Sequence, residues 1–241
     1  MKTKKTNQIS LFSSAVLLAS ISLTASTNSA QAIVIRSELD DFTVDWELLT
    51  SENDNDGGMP PIDLRARAVV DVTSFTQNQL VMDIKFSNLT MLSGAITEAG
   101  IVSFGIAVEP DATGVVFTDS NSTGFESAEI QTTGQQNFPG GFKQIDVCVF
   151  TQGCSGGAQN TALAAGEMDQ FQLAIDGNFG NPVEVRLDQF PIKFQTSQNS
   201  FEFAGNETPL ETPFEVPEPS TILGLSLFAL ATAATTGNKS S

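Results

Sequence analysis

Between residues 42 and 203, hydrophobic side chains recur at every second position. Phe42, Val44, Trp46 and Leu48 alternate with Thr43, Asp45 and Glu47, and Leu80, Met82, Ile84 and Phe86 alternate with Val81, Asp83, Lys85 and Ser87. Phe171, Leu173 and Ile175 continue the pattern, as do Val183, Val185 and Leu187 set against Glu184, Arg186 and Asp188. A period of two sends successive side chains to opposite faces of an extended chain, so each segment predicts a strand with one buried face. The stretches 66–75, 101–108, 114–117, 144–150, 192–194 and 200–203 read likewise, giving about ten strands separated by Gly, Asn, Asp and Pro. Residues 162–168 could make a single helical turn. One-sided strands at this spacing hide their apolar faces by stacking two sheets. The expected fold is therefore all-β, a mostly antiparallel β-sandwich forming one domain over residues 33–204.

The two ends of the chain depart from this period. Lys2, Lys4 and Lys5 precede a mostly apolar run from Ile9 to Thr24, and Ser29-Ala30-Gln31-Ala32 supplies a small-x-small pattern. This reads as a signal peptide over residues 1–32, cut between Ala32 and Ile33. At the other end, residues 205–215 are acidic, contain Pro209 and Pro213 and lack alternation, which predicts an extended linker. In Val216-Pro217-Glu218-Pro219, two prolines fix φ and remove donors, so that segment is expected to be extended and accessible. Ser220 or Thr221 can then cap a hydrophobic helix over 222–236. Its apolar core from Ile222 to Ala234 is short against the roughly 20 residues of a spanning helix.

The sequence Val216-Pro217-Glu218-Pro219-Ser220-Thr221-Ile222-Leu223-Gly224-Leu225 resembles the PEP-CTERM sorting signal of exported proteins of Gram-negative bacteria. That resemblance covers residues 216–241. It implies recognition of the tail by an exosortase, a membrane protease-transpeptidase, and delivery to the cell envelope, outer surface or extracellular matrix, often with extracellular polysaccharide. The family usually ends in a cluster of Arg and Lys, whereas here Lys239 stands alone. A second similarity, to the cistern subgroup of these proteins, rests on Phe142 to Phe150, Cys154-Ser155-Gly156-Gly157 and Leu163-Ala164-Ala165-Gly166.

Composition narrows the chemistry. Three of the 11 Lys and Arg lie before Ile33 and none of the 28 Asp and Glu does, so residues 33–241 carry 8 against 28, a net of −20. Such a charge opposes nucleic acid and anionic lipid as partners. The chain has no His and no Tyr, which removes Ser-His-Asp, Cys-His and His-based zinc sites.

Three features are candidates for a site. Cys148 and Cys154, an even count in a chain expected to be exported, favour a disulfide over free thiols, and the C-x5-C spacing favours it over a redox pair. Glu52, Asp54 and Asp56 at alternate positions, followed by Gly57 and then Asp63, imitate a calcium-binding loop, although Pro60 and Pro61 exclude a helix after it. Calcium ligation and a solvated turn both stay open there, and no other cofactor is expected. Asp45 with Glu47, and Glu184 with Asp188, are carboxylate pairs of the kind a glycosidase uses, yet outward positions on any acidic strand supply such pairs. Trp46 sits in phase with Phe42 and Val44 and reads as core rather than as a sugar platform. Asn88-Leu89-Thr90, Asn121-Ser122-Thr123 and Asn206-Glu207-Thr208 match the glycosylation pattern and read as chance matches in Asn- and Thr-rich turns. The resulting expectation is an exported, non-enzymatic surface or matrix protein. Its expected partners are an exosortase-like membrane protease, extracellular polysaccharide, and the membrane through the tail before processing, with no nucleic acid. The alternatives are a polysaccharide- or calcium-binding adhesin module and, behind it, a secreted carboxylate-dependent glycoside hydrolase.

Overall fold

The computed structural model describes residues 32–50, 61–94, 96–119, 124–131 and 137–210. In chain order their strands are β1 Ile33–Ile35, β2 Phe42–Thr50, β3 Ile62–Phe75, β4 Gln79–Asn88, β5 Ala99–Glu109, β6 Gly114–Asp119, β7 Ser127–Ile130 and β8 Asn137–Phe138. There follow β9 Phe142–Lys143, β10 Val147–Phe150, β11 Leu163–Ala164, β12 Met168–Asp176, β13 Val185–Asp188, β14 Pro191–Thr196, β15 Ser200–Ala204 and β16 Asn206–Pro209. All pairings among them are antiparallel. One sheet runs β16-β2-β3-β4-β12-β6. The other is built around β5, which takes β13 and β14 along one edge and β10 and β11 along the other.

The two sheets stack as a β-sandwich, as the alternation requires. In β2, β3, β4 and β12 the in-phase apolar residues are buried, among them Trp46, Leu64, Phe86 and Leu173, while the residues between them reach solvent in part. Aromatic rings bridge the layers. Phe86 of one sheet lies 5.0 Å from Phe104 of the other, and Phe125 sits 5.0 and 5.2 Å from these two, edge-on to both.

Strand β5 breaks the alternation, because ten of its eleven residues are buried. Ile101 and Ser103 pair with the adjacent residues Phe194 and Lys193, so Val102 is the extra residue of a bulge. The bulge keeps Ile101, Phe104, Ile106 and Val108 in the central core. Gly100, Ser103, Gly105 and Ala107 then form a stripe of small residues on the outer face, covered by segments from 138–162. A Cβ at Gly105 would lie 2.6 Å from Ile145 Cγ2, and one at Gly100 would collide with Ala162. Phe138, Ile145, Cys148, Cys154 and Ala107 make a second, smaller core in this added layer.

Several sequence expectations are corrected. Residues 206–209, read as linker, form β16 and pair with β2, Glu207 opposite Val44. Proline lacks a ladder donor but is tolerated on an edge strand, and Pro209 occupies the last position of one. Residues 159–161 form a 3₁₀ turn and Leu163–Ala164 a short strand on β5, in place of one helical turn over 162–168. Val183 and Gln144–Asp146 lie outside strands, Gln144 taking a φ of 61°. The expected signal peptide, up to residue 31, and the expected hydrophobic helix 222–236 lie outside the described residues. Among those described, no helix is long and apolar enough to cross a membrane.

The chain crosses between sheets at Gly205. The carbonyl of Phe190 accepts the buried indole N–H of Trp46 at 2.7 Å and the Gly205 N–H at 2.9 Å. A Cβ at Gly205 would lie 2.7 Å from Trp46 Nε1 and 2.6 Å from Val44 Cγ1. Trp46→Phe should therefore lower the unfolding free energy by about 2 kcal/mol, from a lost buried hydrogen bond and a partly filled cavity. Gly205→Ala should cost at least as much, because both contacts are with core side chains. Chemical denaturation measures the two, and a Gly205→Ala protein of unchanged stability would rule out this crossing.

Candidate functional site

The sequence candidates do not converge on one place. Glu52, Asp54 and Asp56 lie outside the described residues, as does the expected sorting motif Val216, Pro217, Glu218 and Pro219. Asp63 is described, and its carboxylate is bonded to Arg65, 2.6 Å from Nε, on the outer face of β3. No group of three or more potential ligand side chains occurs among the described residues. Ala32 is half-buried and Ile33 is buried at the start of β1, opposite Leu187.

The paired carboxylates are balanced by arginines. Asp45 takes two hydrogen bonds from Arg67, at 2.6 and 3.2 Å, and holds that guanidinium above its ordinary pKa range through the bond first and the charge second. Glu47 lies 3.6 Å from Arg65, Glu184 2.8 Å from Arg36, and Asp188 3.2 Å from Arg186. These groups sit on exposed sheet faces where such pairs contribute little stability and no enclosed reaction space.

Cys148 and Cys154 are bonded, with their Cα atoms 5.9 Å apart. β10 directs Val147 and Val149 into the central core and Cys148 outward, where its strand position faces Gly105. The disulfide thus fastens the loop after β10 onto the outer face of β5. Ser103 Oγ completes the attachment by donating to the carbonyl of Cys154 at 3.1 Å. Trp46 is 1% exposed, so it belongs to the core.

Two surface clefts flank this added layer. One, of about 390 Å³, lies at the start of β5 between Glu98, Gln159, Asn160 and Glu167, with Leu92 and alanines as its apolar wall. The other, of about 310 Å³, is acidic and includes Glu109, Asp111, Asp146 and Asp188. Asp146 is 3% exposed and its Oδ2 accepts the Val108 N–H at 2.7 Å, a structural tie between β5 and the strand beside it. Asp169 plays a similar part, accepting from Phe125 N–H at 2.7 Å. Asn88, which the sequence offered as a glycosylation match, is fully buried, and its amide donates to the carbonyls of Ala99 and Leu163. It bolts β4 to β5 beside the first cleft.

Sequence reasoning missed Glu207. The residue is 8% exposed, and neither carboxyl oxygen has a hydrogen-bond partner on another residue. Burial above all pushes its pKa up from the usual 4.5; its own peptide N–H pulls it down, and the negative charge of Asp188 raises it again.

No family model matches the chain. No curated protein matches it either. Among solved structures, one titled "Crystal structure of yeast GGA1_GAE domain-P21" is similar at 14% identity, over 70% of this chain and 99% of that one, with a TM-score of 0.27. A score of that size transfers neither fold nor function.

The disulfide closes a short loop, so reduction, or replacement of both cysteines by alanine, should lower the unfolding free energy by about 2 kcal/mol. Thermal denaturation with and without reductant measures it. Intact-mass detection of two free thiols in the native protein would refute the bond.

Proposed function

We propose that the chain is an exported, non-enzymatic β-sandwich of the cell surface or extracellular matrix, delivered by a cleaved signal peptide and a PEP-CTERM-like tail. The observation that supports this reading most is the Cys148–Cys154 disulfide, which holds the outer layer and persists in oxidising compartments. Two further features agree with it. β1 starts at Ile33, so cleavage after Ala32 leaves each described strand whole. The described strands end at Pro209, and Leu210 donates its N–H to the Asp41 carbonyl, so the tail leaves from the edge strand of a sheet. A non-enzymatic role fits the pairing of the candidate carboxylates with arginines on open faces.

The adhesin reading is favoured by the first cleft. Carboxylates and side-chain amides beside an apolar wall are the groups that hydrogen-bond sugar hydroxyls and pack on the sugar's C–H face. A neutral extracellular polysaccharide suits it better than an acidic one, given the chain's net charge.

Intact mass and fractionation of the protein from its native cells test the export reading. The expected species begins at Ile33, ends near Pro217-Glu218-Pro219, and is found in the outer envelope or medium. Replacing those three residues so that none of the motif remains (Pro217→Ala, Glu218→Ala, Pro219→Ala) should abolish tail processing. Normal maturation of that variant would remove the sorting proposal.

A further inference from the structure

Glu207 is the described acid whose position makes least sense as a permanent anion. It stands opposite Val44 in the β16–β2 ladder, and directly opposed residues share a face, so its side chain lies on the inward side with Val44. The described elements around it offer no compensating cation. From β2 the neighbouring charge is Asp45, on the other face and bonded to Arg67. β1, which packs beside β16, contributes apolar Ile33 and Ile35. From β13 the group that acts on Glu207 is Asp188, which is itself negative. The cations on the adjoining segments, Arg36 just after β1 and Arg186 on β13, are taken by Glu184, and by Asp188 and Glu109. An ionised carboxylate with two unsatisfied buried oxygens is costly, whereas a neutral one loses far less on burial.

The strand that carries this group is short and lies at a sheet edge. β16 is four residues long, lies at the edge of its sheet and pairs with β2 alone. Its ends are held by the Gly205 N–H on the Phe190 carbonyl and the Leu210 N–H on the Asp41 carbonyl. Short edge strands open at lower free energy than the centre of a sheet.

We propose that β16 is a proton-controlled clasp: with Glu207 neutral it closes on β2, and with Glu207 ionised it opens and frees residues 205–210. Opening lengthens the chain between the sandwich and whatever follows Leu210 by about 20 Å when extended. The clasp depends on the geometry of β16 and not on the sorting proposal. The sign follows from linkage. A carboxyl whose docked pKa is raised binds more protons docked than released, so it supports docking fully below its usual pKa, and that support is lost as the pH rises through the raised value.

Hydrogen exchange of the full chain, read by mass spectrometry between pH 5 and 8 and corrected for intrinsic exchange, tests this. Protection of the segment 205–210, relative to β3 and β4, should fall by up to about tenfold per pH unit between the usual and the raised pKa of Glu207, and level off above the raised value. Glu207→Gln keeps the shape and cannot ionise, so its protection should stay high and flat. Glu207→Val serves the same purpose should the glutamine variant fold poorly, with a side chain suited to an inward strand position. Asp188→Asn should move the midpoint to lower pH. Flat protection in the wild type, an unchanged pH dependence in both Glu207 variants, or protection at pH 8 restored by calcium would each overturn the clasp.

Discussion

Most of the structure hangs on β5, the strand bonded along both edges and covered on both faces. A strand can be buried on both sides only if something lies over its second face, and that face must be flat enough to be covered. The bulge at Val102 and the small side chains of Gly100, Ser103, Gly105 and Ala107 meet that demand together. The bulge sets which residues point outward, and their size lets Ala162, Ile145 and Phe138 approach the backbone. The disulfide and the Ser103 hydroxyl then hold the covering layer in place. The cystine is thus part of a packing solution for one strand, and its removal would loosen the layer between the two clefts before it disturbed the aromatic core.

The parts legible in the sequence are those where burial is one-sided. For β2, β4 and β12, alternation names the core residues directly, and Trp46 follows from being in phase. β3 likewise shows a buried in-phase row through Val72 before its own register shift. The legible part ends where tertiary structure supplies the second face or the partner. Residues 101–108 read as half-buried because nothing local announces the layer that covers them. β16 was hidden by composition, since Asn206, Glu207 and Pro209 describe a linker unless β2 is known to present a free edge. Asp169 did carry a signal, being an acid in phase with Phe171, Leu173 and Ile175, where only a satisfied carboxylate can sit. Glu207 had no such frame around it, which is why this buried acid escaped the sequence.

Charge organises the outside much as small residues organise β5. Arg36, Arg65, Arg67, Arg186 and Lys193 each lie beside one or more carboxylates, and these sites are spread over both sheets. The arginine pairs are exposed, so each contributes little to stability. Their larger effect is to consume positive charge. With 8 basic against 28 acidic residues from Ile33 onward, the charge left over is strongly negative. A surface of this kind keeps copies of the chain apart and repels anionic polymers, while leaving neutral polymers free to approach. The cleft at the start of β5 carries Glu98 and Glu167 within that field, so an acidic sugar entering it would meet like charge at the same point where its hydroxyls found hydrogen-bond partners. In the proposed adhesin role, selection among polymers would then come from repulsion as much as from contact.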